Sequence, residues 1–110
     1  MLSNNKIVRA RSTEEYVNMV EQAIDDTFDL KQAIEFDYDE MSPAMAFVDQ
    51  LDAQLKALYE SMKDGSYQFA TGDLPFVAII EAQHEAMLPF KYLLKRINET
   101  HMKGLQIEES

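Results

Sequence analysis

The chain contains no cysteine and no tryptophan, and only three glycines and three prolines among 110 residues. Without cysteine there is no disulfide, thiolate nucleophile, zinc ribbon or iron-sulfur cluster, and nothing requires an oxidising compartment. Glycine and proline fall well below their usual roughly 7% and 5%, which leaves too few turn formers for a sandwich or barrel with many hairpins. Nowhere do about 18 apolar residues run together, as a membrane span would need. The stretch 1–11 carries Lys6, Arg9 and Arg11 but no apolar run of signal-peptide length, so a cytoplasmic location is expected. Bases are scarce too: 10 Lys and Arg stand against 20 Asp and Glu, a formal net charge of −10.

What is present suits helices. Apolar residues make up 46% of the chain and charged residues 27%, enough to bury one core in a chain of single-domain length. Ser12-Thr13-Glu14-Glu15 is an S-x-x-E capping box, which predicts a helix starting at Thr13. Tyr16, Val17, Val20, Ala23, Ile24, Thr27, Phe28, Leu30 and Ile34 then fall within about 160° of arc at 100° per residue, carrying that helix to about Phe36. Lys31 sits near the middle of the same apolar arc, where it must either snorkel to solvent or find an acidic partner.

Ser42-Pro43 opens a second helix, with Ser as cap and Pro in the first turn, and Asp64-Gly65 closes it. Between them Ala44, Val48, Leu51, Leu55, Leu58 and Met62 step in the alternating 4-3 spacing of a packed seam. Tyr67 and Phe69, in the connection that follows, are placed to cap the end of the core. A third helix is predicted from Asp73 to Lys103, burying Phe76, Ile80, Met87, Phe90, Leu94 and Ile97. Pro89 lies in its middle, where the missing N–H and the ring clash cost about 3 kcal/mol unless the helix bends. The expected fold is all-α: an antiparallel three-helix up-down-up bundle over 12–104, its third helix kinked at Pro89, with flexible tails at 1–11 and 105–110. A complete break at Pro89 would make four helices.

The acids are unevenly placed. Residues 14–40 hold ten acids and one base, Lys31, whereas 91–103 hold Lys91, Lys95, Arg96 and Lys103 against Glu99 alone. Some of this asymmetry can be internal complementarity or a solvated face. Yet Glu21, Asp25 and Asp29 repeat at i, i+4, i+8, a spacing at which like charges destabilise a helix by roughly 0.2 to 0.5 kcal/mol per pair. The ridge they form with Glu14 is therefore read as a surface for a basic partner protein. Nucleic acid is not expected to bind it directly, because phosphates are repelled.

Other chemistry finds thin support. Glu81-Ala82-Gln83-His84 is a single Glu-x-x-His, which a di-metal carboxylate bundle needs twice, together with two further inward glutamates. Glu81 and His84 would make a metal site only if a homodimer supplied the second motif. Aligning an EF-hand loop to Asp37 puts Met41, Ser42 and Val48 at positions 5, 6 and 12, and the match fails. There is no G-x-S-x-G elbow and no phosphate-cradling glycine loop. On the second helix, Ala46, Gln50, Ala53 and Ala57 form a small, uncharged outer face that another helix could approach, which makes it the candidate homodimer interface. The expectation is a small acidic interaction module with a regulatory or accessory role, without a cofactor and not an enzyme. The alternatives are the dimer-completed metal protein and a DNA mimic.

Overall fold

The computed structural model describes residues 7–37, 43–82 and 88–106, without the side chains of 36, 37 and 43–45. Four helices follow in order: α1 (Thr13–Asp37), α2 (Pro43–Asp64), α3 (Val77–Glu81) and α4 (Lys91–Lys103). The domain is all-α, and the described residues contain no strand.

The start of α1 is capped as its sequence implies, with one change of partner. The Glu15 backbone N–H donates to Ser12 Oγ at 3.0 Å, but the Glu15 carboxylate reaches one residue further back, accepting from the Arg11 N–H at 2.8 Å. Tyr16, Val20, Ala23 and Ile34 are buried, and they meet Val48, Leu51, Leu55 and Leu58 of the α2 seam, also buried. Gly65 ends α2 with φ +83°, a conformation that costs glycine nothing. Lys31 leaves the apolar arc of α1 by reaching across to α2, where its Nζ lies 3.1 Å from Asp49 Oδ1. Phe28, at the edge of the apolar stripe by its spacing, is 57% exposed.

The third predicted helix is two helices, so the expected kink is a break. Around Pro89 the chain makes a turn in which the Lys91 N–H donates to the Leu88 carbonyl at 3.0 Å, and α4 starts only after it. A proline in that position has no helical N–H to lose, which removes the cost it would have inside a helix. Leu88, fully buried, anchors the turn. Asp73, the predicted start of the third helix, lies ahead of α3 and accepts from Asn98 Nδ2 at 3.0 Å, while Asn98 Oδ1 accepts from the Leu74 N–H at 2.8 Å.

The break changes the topology. Tyr16, near the start of α1, bonds to Ile97 midway along α4, while Leu30 and Ala33, further along α1, lie beside Pro89 and Phe90, just before α4 begins. Hence α4 runs antiparallel to α1, and the three-helix up-down-up course gives way to four members. The five-residue α3 packs against both α2 and α4. Packing contacts join α1 to α2, α2 to α3, α3 to α4 and α4 to α1, closing a ring around the core.

Residues 7–10 and 105–106, expected to lie in the tails, are held against α4. Ala10 is fully buried; its N–H donates to Thr100 Oγ1 at 2.9 Å and its carbonyl accepts from the Gln106 N–H at 2.7 Å. Arg96 Nε donates to the Val8 carbonyl at 2.9 Å. The backbone groups that composition left without partners are met by these long-range bonds. Residues 1–6 and 107–110 lie outside the described residues.

Candidate functional site

Two regions combine polar groups with accessible surface. One closes an end of the bundle, and the other runs along α1 to a cleft at the opposite end.

At the end formed by the start of α1 and the end of α4, three polar side chains bond in sequence. Tyr16 Oη is 3.1 Å from the Ile97 carbonyl and 2.9 Å from Tyr67 Oη, and Tyr67 Oη is 2.7 Å from His101 Nδ1. The carbonyl can only accept, which fixes the direction of the whole chain. Tyr16 donates to Ile97, Tyr67 donates to Tyr16, and His101 donates to Tyr67 through an Nδ1–H. Burial raises the Tyr16 and Tyr67 pKa values and lowers that of His101, so all three groups are held neutral. Phe69 stacks on the outer face of the Tyr16 ring, with centroids 6.0 Å apart and planes 9° apart, and Tyr67 meets both rings edge-on. The Ala70 N–H donates to the His101 carbonyl at 3.2 Å, pinning the same loop a second time. Tyr67 and Phe69 thus close this end of the core. The relay terminates on a backbone carbonyl, which cannot take up a proton at ordinary pH, so the arrangement is a clasp.

The negative surface runs along α1, from Glu14 beside the clasp to Asp29 toward the opposite end. Glu14, Glu21, Asp25 and Asp29 are all exposed along α1. Glu21 accepts from the Tyr59 hydroxyl at 2.8 Å, a neutral partner that leaves its charge uncancelled. The ion pairs formed by described side chains are Lys31 with Asp49, Lys56 with Asp52, and Lys103 with Glu99, none of which involves an α1 carboxylate. Lys103, in the last turn of α4, pairs within its own helix.

Beside Asp29 the α1 surface drops into a cleft of about 410 Å³ lined by Asp26, Asp29, Leu30, Ala33, Pro89 and Phe90. Its walls are mostly apolar and its rim carries two carboxylates. One Asp26 oxygen accepts from Gln22 Nε2 at 2.9 Å. Sequence periodicity assigns Leu30 and Phe90 to the buried stripes of their helices, and both do pack on the core, but only in part. The one clue to the cleft in the sequence is Pro89, which ends helical packing just where α1 continues.

The remaining candidates stay apart. Ala46, Gln50, Ala53 and Ala57 are exposed on α2. Glu81 ends α3 and is exposed, whereas His84 lies outside the described residues. Among the described residues no three His, Asp or Glu side chains converge in a way that could hold a metal ion. No helix among them is long and apolar enough to cross a membrane.

No protein-family model, curated protein or solved structure matches the chain.

Proposed function

We propose that this protein is a small acidic helical interaction module whose α1 outer face receives a basic partner protein, in a regulatory or accessory role. The observation that carries the reading is the lack of any Lys or Arg partner, among the described residues, for Glu14, Glu21, Asp25 and Asp29. A stable fold gains nothing from like charges at i, i+4 spacing. Encounter with a basic surface gains rate and orientation from them. A second surface, the small-residue face of Ala46, Gln50, Ala53 and Ala57, is exposed and suited to self-association. The cytoplasm is the compartment that fits a chain without cysteine.

The experiment is capture of proteins from a native extract by immobilised protein, comparing the native chain with a variant carrying Glu21→Gln, Asp25→Asn and Asp29→Asn. Salt-sensitive capture of basic proteins by the native chain, lost in the variant while its thermal stability is equal or higher, supports the reading. Undiminished capture removes α1 as the surface. If the captured set consists of DNA-binding proteins displaced by added DNA, the same ridge is acting as a DNA mimic.

A further inference from the structure

We infer that the cleft between α1 and the Pro89–Phe90 turn takes one bulky apolar side chain of the basic partner, flanked in the partner's chain by lysine or arginine. This inference rests on the reading of α1 as a basic-partner surface and assigns that partner a sequence chemistry. The cleft, at about 410 Å³, is well above the roughly 150 Å³ that accommodates a benzene ring. Leu30, Ala33, Pro89 and Phe90 supply an apolar wall, and Asp26 and Asp29 stand at its rim. Asp29 makes no ion pair among the described residues, and Asp26 keeps one oxygen beyond its bond to Gln22.

Charge decides between occupants. A second copy of the chain would bring another net −10 molecule against the same carboxylates, which repel it. A neutral apolar molecule would leave Asp26 and Asp29 without a role. An apolar anchor with cationic neighbours satisfies both the wall and the rim, the pattern of a buried hot spot inside a charged border.

The test uses the full chain and short synthetic peptides in which lysines flank a central phenylalanine. Control peptides replace the phenylalanine with alanine, or the lysines with glutamate. Fluorescence anisotropy reads affinity and amide chemical shifts read location. The phenylalanine peptide is expected to bind about tenfold or more tighter than the alanine peptide, from the apolar area it buries. The amide signals of Leu30, Ala33 and Phe90 should move with it. Ala33→Phe, which fills the cleft from an exposed position and leaves every carboxylate in place, should erase the preference for phenylalanine but keep weak, salt-sensitive binding of both lysine peptides.

Equal affinity for the phenylalanine and alanine peptides, with shifts confined to Glu21, Asp25 and Asp29, would overturn the cleft assignment and leave the ridge intact. No binding of any lysine peptide at low salt would overturn both. Equal binding of the glutamate peptide would show an apolar ligand site indifferent to charge. Concentration-dependent shifts at the cleft without peptide would show that a second copy occupies it. Either result defeats the proposal.

Discussion

One end of the bundle is closed by polar bonds and the other is left open among charges, although the same two helices, α1 and α4, form both. At the closed end every donor has an acceptor: Tyr16, Tyr67 and His101 hand hydrogen bonds to one another and finally to a carbonyl, and Phe69 covers them. At the open end Pro89 stops α4 short of full contact with α1, and Asp26 and Asp29 stand beside partly covered Leu30 and Phe90. Buried polar groups are costly unless fully paired, so the first arrangement fixes one geometry. Exposed carboxylates and a shallow apolar wall cost little to leave unpaired, and so remain available to a second molecule.

The largest effect should follow from breaking the closed end. Tyr16→Ala removes a side chain that is only 2% exposed and should cost about 3 to 5 kcal/mol in urea denaturation. Phe90→Ala, at the open end, should cost about 1 to 2 kcal/mol because its ring is only partly covered. Equal losses would dissolve the distinction between the ends.

A matched pair of threonines sharpens it. Thr100 and Thr27 are both fully buried, and each hydroxyl donates to the carbonyl one turn back, at 2.9 and 2.7 Å. Only the Thr100 hydroxyl also accepts a bond, from the Ala10 N–H. Thr100→Val leaves that buried donor unpaired and should cost about 1 to 3 kcal/mol. Thr27→Val leaves no group unpaired and should change stability by less than about 1 kcal/mol.

The closed end should also be the acid-sensitive one. Burial lowers the His101 pKa below its ordinary 6.5, so the folded chain holds less proton there than the unfolded chain. The stability tied to neutral His101 is therefore complete above about pH 6.5 and is lost as pH falls through the lower folded value. Denaturation midpoints measured between about pH 7.5 and 5.5 should decline, and His101→Gln should flatten that part of the curve. At the open end the smallest change is expected. Asp25→Asn and Asp29→Asn should each raise stability by a few tenths of a kcal/mol at low salt, an effect that added salt should erase.

Local signals made much of this architecture legible. The capping box at Ser12–Glu15, the α2 seam and Gly65 specify where α1 begins and where α2 lies because each depends on residues within a turn or two. Pro89 announced an interruption, but its form depends on whether Leu88 can be buried in a turn, which is settled by packing and not by spacing. Phe28 shows the same limit. Its angular position borders the apolar arc, and only the packing of the fold leaves it outside. The acidic ridge was visible as a charge pattern, but which bases pair with which acids depends on how the helices pack. The clasp was the least legible feature: Tyr16, Tyr67 and His101 are far apart in sequence, and none belongs to a motif. The cleft was hidden likewise, because Leu30 and Phe90 carry the periodicity of wholly buried residues.

The bond between the Ala10 carbonyl and the Gln106 N–H places the incoming and outgoing strands of polypeptide side by side, at the pole remote from Asp29 and Phe90. A dye or an affinity handle attached at Gln106 would therefore stand clear of the cleft beside Asp29.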